Sequence, residues 1–309
     1  MHLRFALPAT TLALALLAAV PLPAQIPVDG RCNIFGAGHA VPPDPGGGGP
    51  GLPPVEIAVP ETAGILTLSA SGMVGCCGPN GPMNPPDGGA SYDTSILGWD
   101  GIAGIAMTGR QMALVGVFVG PDEPRDPTPP GLSFVSIDFA ELRPELRQPF
   151  FIGDGSNSTG LQLFHVPPGA TRLFLGFADS RSFQGLPGWF DDNVGRVDVT
   201  GIAFTPRSYR LEMSSLAGGQ VGSASVLGGS PGATQYLVMS RFGLGVTGVP
   251  ALGVDLALGQ PRLLRSGPAD PAGTIGWTGT VPAGAAGRTL YFQAAESGQV
   301  TNVIIRTVL

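Results

Sequence analysis

Short apolar runs that alternate with polar or small residues, and that break at glycine or proline, recur along almost the whole chain. A period of two marks half-buried strands, whereas the i, i+3, i+4 stripe of an amphipathic helix is hard to find in any window. Residues 55–59 (VEIAV), 64–69 (GILTLS), 110–120 (RQMALVGVFVG), 150–153 (FFIG) and 162–166 (QLFHV) read as strands. The clearest pair frames residues 171–199. Leu173, Leu175 and Phe177 alternate with shorter neighbours in a half-buried strand, and Val197 and Val199 resume the alternation after a polar loop. Further strands are predicted at residues 209–213, 235–239, 289–294 and 303–309. In the first of these, Tyr209, Leu211 and Met213 share one face, with Arg210 and Glu212 on the other. The pattern predicts an all-β chain of two β-sandwich domains, residues 55–205 and 206–309.

Two stretches depart from it. Residues 1–24 have the layout of a secretory signal: Arg4, an apolar run over residues 12–20, then a small-residue exit at PLPA. No later run is apolar and long enough to span a bilayer, so the product is expected to be secreted or at the cell surface, without stable membrane insertion. Residues 25–54 contain PPDPGGGGPGLPP, which disfavours helix and strand alike, and they read as a tether. His39, beside it, is expected to be solvated.

Composition sharpens the fold class and excludes some partners. With 49 Gly, 32 Pro and only 12% charged residues, the chain suits turn-rich sandwiches. All 16 basic residues are arginine. Acidic residues outnumber basic ones 18 to 8 between Ile26 and Pro206, but the ratio is 4 to 7 from Arg207 on. An acidic first half argues against nucleic acid and leaves room for bound cations.

Enzyme signatures are sparse. The three histidines are His2, His39 and His165; there is no G-x-S-x-G, H-E-x-x-H or P-loop, and no cysteine spacing suited to zinc. Glu141 with Glu145, or Asp154 with Asp191, are the only carboxylate pairings that invite an acid–base reading. The expectation is a non-enzymatic protein. Of the three cysteines, Cys76 and Cys77 are adjacent and Cys32 stands apart. One disulfide from Cys32 to Cys76 or Cys77 would clip the tether to the first domain; a vicinal ring would leave Cys32 free.

The loop between the strands framing residues 171–199 carries the candidate chemistry. Asp179 ends the first strand, and Asp191, Asp192 and Asn193 precede the second, with Pro187 and Gly188 setting turns. Oxygen-bearing side chains on a loop held by two strands suit a hard cation, although the EF-hand spacing is missing. On spacing alone, a polar turn is the plainer account.

The order of features over residues 55–200 resembles the PA-IL-like bacterial lectins, calcium-dependent galactose-binding β-sandwiches. It rests on Ser71-Gly72 to Gly78-Pro79, Pro86-Asp87, Met112 to Gly116, and above all the late run Asp179, Pro187-Gly188, Trp189-Phe190, Asp192-Asn193, Val194-Gly195. The resemblance implies a galactose-binding-like first sandwich and a Ca²⁺ cofactor. Asp179, Asp192 and Asn193 match the family's side-chain ligands, while Trp189 and Cys77 fall where it uses backbone carbonyls. A bound carbohydrate, a galactoside or cell-surface polysaccharide, would meet Asp87, Trp189, Asp192 and Asn193. Three departures stand out: the loop from Asp179 to Pro187 is longer than in the family, Asp192 replaces an asparagine, and Pro85 and Gly88 stand where the family has its sugar-contacting His and Gln. The C-terminal PAGAAGRTLYFQAAESGQVTNVI resembles small β-domains of exported planctomycete-type proteins. The competing expectation is a structural or adhesion protein whose loop binds calcium only for stability, or not at all.

Overall fold

The two longest strands, Ala63–Gly75 and Val194–Pro206, run antiparallel, with Val194 opposite Gly75 and Pro206 opposite Ala63. Leu66, Leu68, Val74, Val197 and Val199 lie buried on their inner face, the period-two alternation that one covered face requires. The computed structural model describes residues 25–309; the expected signal segment lies outside them. Around this pair a sheet forms in the order Ile26–Asp29, Val194–Pro206, Ala63–Gly75, Leu163–His165, Glu141–Leu142, with Met83–Asn84 also paired to Ala63–Gly75. A second sheet runs Phe150–Phe151, Leu114–Val119, Arg172–Phe177, Val55–Ala58. The two meet through aromatic rings. Phe150 stacks on Phe118 at 5.3 Å between centroids and meets Phe164 of the first sheet at the same distance.

Two expectations change at the N-terminal side of this layer. The strand Arg172–Phe177 is buried on both faces rather than half-buried, Phe174 and Gly176 included. Leu114–Val119 and Val55–Ala58 flank it in its sheet, and the 3₁₀ turn Ile34–Gly36 packs against it. Phe177 donates its amide to the Cys32 carbonyl at 2.8 Å, and a Cβ on Gly176 would come within 2.6 Å of that oxygen. The second change follows from the first, because residues 25–54 are not a tether. Ile26–Asp29 pairs with Val199 through Arg196, and Ile34 and Phe35 are fully buried. Asn33, also fully buried, gathers the proline-rich turn by donating its amide to the carbonyls of Pro43 and Pro50. The apolar residues of IPV and IF supply the burial, and the glycines allow the chain between them to fold back as a strap. His39 is correspondingly packed rather than solvated, its Nδ1 3.5 Å from Glu123 and its Nε2 3.1 Å from the Asp100 carbonyl.

From Arg210 onward, three further sheets form. One runs Arg210–Met213, Val221–Leu227, Ile275–Thr280. A second runs Arg262–Pro268, Thr234–Ser240, Thr289–Glu296, Gln299–Val300, with Ile304–Thr307 also on Thr289–Glu296. The third is the hairpin Leu244–Val249 with Val254–Leu258. Tyr209 and Leu211 are buried and Glu212 is exposed, as the alternation requires. Among the described residues no sheet joins a strand before residue 207 to one after it. The chain is all-β, with sheets packed face to face about apolar cores. No helix among the described residues is long and apolar enough to cross a membrane.

Candidate functional site

The acidic loop is assembled from three directions. The end of Arg172–Phe177 delivers Asp179, whose carbonyl accepts the Gly188 amide at 3.1 Å and so draws the Pro187-Gly188 turn alongside. Trp189 follows in the left-handed conformation, at φ 67°, and caps a single 3₁₀ turn, Phe190–Asp192. That turn buries Phe190 and sets Asp192 and Asn193 immediately before the strand Val194–Pro206. The third direction is the end of Ala63–Gly75, where Cys77 is also left-handed (φ 69°) and the next amide, of Gly78, donates to the Asp192 carbonyl at 2.7 Å. Direct contacts therefore knit Asp179, Trp189, Asp192, Asn193 and the Cys77–Gly78 turn into one locality. Asp87 is bonded to another segment. Its Oδ1 accepts the Asp154 amide at 2.9 Å, and among the described residues no hydrogen bond joins it to the loop.

The polar balance inside that locality is incomplete. Asp179 is 2% exposed and Asn193 3%. Asp179 Oδ1 accepts the Ser180 amide at 2.7 Å, but its Oδ2 is buried without a partner. Asn193 donates Nδ2 to the Gly30 carbonyl at 3.2 Å, while its Oδ1 is likewise buried and unpaired. Ser180 Oγ, next in the chain to Asp179, is buried and unpaired too, and buried polar groups left without partners are costly. Desolvation pushes the Asp179 carboxyl up to about 8, and the nearby Asp192 charge adds to it. The Asn193 amide relieves part of that penalty by proximity, although no hydrogen bond of good geometry joins the two side chains. A hard cation is a partner such oxygens accept, and Ca²⁺ takes oxygen ligands of this kind in flexible geometry. The residues fit such an ion.

Among the described residues no group of three or more His, Cys, Asp or Glu side chains is gathered closely enough to hold a metal. The loop instead offers two carboxylates, one amide oxygen and the main chain, a set suited to a hard ion rather than a soft one.

Asp191 is excluded from this set by its own bond, accepting the Gly51 amide at 3.0 Å with Oδ1. The strap as a whole is laid against the loop. Gly46 donates to the Pro187 carbonyl at 2.9 Å, Trp189 donates to the Gly47 carbonyl at 2.8 Å, and Phe190 donates to the Gly49 carbonyl at 3.1 Å. A Cβ on Gly48 would come within 2.6 Å of the Trp189 indole, so glycine there lets the backbone lie directly on the ring. Trp189 is still 38% exposed. This contribution of residues 44–51 was not legible in the sequence; the run of glycines beside Asp44 was its only signal.

The carboxylate pairs weighed for catalysis are otherwise engaged. Glu141 Oε2 lies 2.6 Å from His165 Nε2, and that hydrogen bond, followed by the Arg143 charge, holds its carboxyl below the usual range. Asp154 Oδ1 accepts the Ser156 amide. A cleft of about 750 Å³ lies apart from the acidic loop, lined by Arg125, Arg147, Arg207, Leu244, Val246 and Asp255 among others, and it includes none of the candidate ligands. Comparison with family models, with curated proteins and with solved structures finds no match for this chain.

Proposed function

We propose that this is an exported, calcium-dependent carbohydrate-binding protein. The observation that carries the reading is the pair of buried, unpartnered oxygens, Asp179 Oδ2 and Asn193 Oδ1, on one loop, where Ser180 Oγ is buried without a partner as well. Asp179, Asp192 and Asn193 would hold the ion through their side chains, and Trp189 and Cys77 through their carbonyls. Bound calcium supplies a point of attachment for the vicinal hydroxyls of a sugar. Asp192, only partly buried, would accept a hydrogen bond from one of those hydroxyls, and the exposed part of the Trp189 ring offers an apolar surface for the sugar's C–H face. The strap supports that ring from behind.

Calcium calorimetry on the wild type and on Asp192→Ala tests the metal. A saturable site in the first that is lost in the second is expected, and no heat in the wild type would end the calcium claim. A glycan array read with and without chelator then tests the sugar.

The near-complete burial of Asp179 and Asn193 also favours a second reading, in which calcium only stiffens the sandwich of a structural or adhesion protein. Calcium binding with no chelator-sensitive glycan signal is its signature.

A further inference from the structure

We infer that Cys76 and Cys77 are joined to each other by a disulfide, and that this vicinal cross-link sets the turn that presents the Cys77 carbonyl to the acidic loop. The two sulfurs lie 2.6 Å apart. Cys32 is buried in a different setting, its amide bonded to the Asp29 carbonyl and its own carbonyl to the Phe177 amide. Among the described residues no contact brings its sulfur to either of the others. The expectation of a Cys32 clip is thus replaced, since the strap is already fastened by strand pairing and by Asn33.

The exposure of the two thiols gives an order of reaction. Cys77 is exposed and Cys76 buried. The Cys77 thiolate attacks the disulfide of an external donor, a thiol–disulfide oxidoreductase or oxidised glutathione, forming a mixed disulfide and releasing one donor thiol. Cys76 then displaces the second donor thiol. The cysteines lose two protons and two electrons in all, and the donor disulfide is reduced to two thiols. Adjacent Cα atoms stand about 3.8 Å apart, below the usual span of about 4.4–6.8 Å for bridged cysteines, so the link should be more readily reduced than an ordinary structural disulfide.

The cross-link lies where it can matter. Cys77 is already left-handed, the next amide holds the Asp192 carbonyl, and Gly81 closes the turn by donating to the Gly78 carbonyl at 3.0 Å. Opening the ring frees the Cys77 peptide to relax and moves one oxygen out of place. This coupling rests on the calcium reading; the cross-link does not.

Peptide mass mapping of the full chain, secreted and alkylated without reductant, decides the cross-link. The expected result is a modified Cys32 and an unmodified peptide containing Cys76 and Cys77 that is lighter by two hydrogens. Alkylation of all three cysteines, or a peptide linking Cys32 to either partner, overturns it. Calcium titration of the oxidised protein and of the same sample after mild phosphine reduction decides the coupling. Weakening by about tenfold on reduction is expected, the scale of losing a group that orients a ligand. Equal affinities overturn the coupling, and absence of calcium binding in both forms overturns it together with the calcium reading, while the mass map stands by itself.

Discussion

The ionised form of Asp179 is the one that burial disfavours. Burial raises its carboxyl to about 8 from an ordinary value of 3.8. Between those values the folded protein keeps a proton that the unfolded chain releases. The calcium-free stability should therefore fall as pH rises from about 4 to about 8, by on the order of a few kcal/mol. Asp179→Asn removes the charge at nearly constant shape, so this slope should vanish. Above pH 8 the variant should be more stable than the wild type in the presence of chelator, and at pH 4 the two should coincide. The same variant should bind no calcium. Denaturant melts across pH, with and without calcium, check all three points. A wild-type profile that is flat in chelator would show that the carboxylate is stabilised by something other than an ion. The likeness to a calcium-lectin motif named Asp179 and Asn193 from the sequence; their two orphaned oxygens are a property of the fold, because donor counting depends on which distant amides arrive.

The strap of residues 44–51 illustrates what an element can hide. Strands such as Leu114–Val119 and Thr289–Glu296 were legible because apolar residues and glycine breaks mark them locally. The strap has no period, and its partners Pro187, Trp189 and Asp191 lie some 140 residues away along the chain. Ile275–Thr280 was missed for a different reason: its side chains are mostly exposed, which leaves little apolar alternation to read. The strap's packing makes a sharp contrast between neighbouring glycines. Gly48 (φ +81°) has the Trp189 ring where a Cβ would sit, whereas Gly47 (φ +74°) has open space. Gly47→Ala should cost about 1 kcal/mol, the left-handed penalty alone. Gly48→Ala adds a steric clash and should cost about 2–4 kcal/mol, with weakened calcium binding as Trp189 shifts. Chemical denaturation paired with calcium titration measures both, and equal costs would mean the strap lifts off the ring freely. Asp191→Ala should loosen the strap by about 0.5–1.5 kcal/mol, since the Gly51 amide exchanges an exposed acceptor for water, yet leave the proposed ligands Asp179, Asp192 and Asn193 intact.

At the scale of the whole molecule, the strands before and after residue 207 share no sheet among the described residues, so side chains and single amides carry the connection. Arg207 donates its amide to the Thr62 carbonyl at 2.8 Å, Arg306 pairs with Glu61 at 2.6 Å, and Asn302 donates to the Glu61 carbonyl at 3.0 Å. These three are unequal. Glu61 is 38% exposed and Arg306 22%, and Arg306 also donates to the carbonyls of Met213 and Ser214, so Glu61→Ala should cost no more than about 1 kcal/mol. Asn302 is buried, and its amide group does more: Oδ1 accepts the Leu211 amide at 2.8 Å, while Nδ2 donates to the Leu211 carbonyl as well as to Glu61. Asn302→Ala leaves the Leu211 amide without its acceptor inside the core, and should cost about 2–3 kcal/mol. The loss should fall on the C-terminal sheets, lowering their calorimetric transition while calcium binding at the acidic loop stays at the wild-type level. Leu244 also packs against Gly120 and Gly169, and a parallel fall in calcium affinity would mean that such contacts make the two groups of sheets unfold as one cooperative unit.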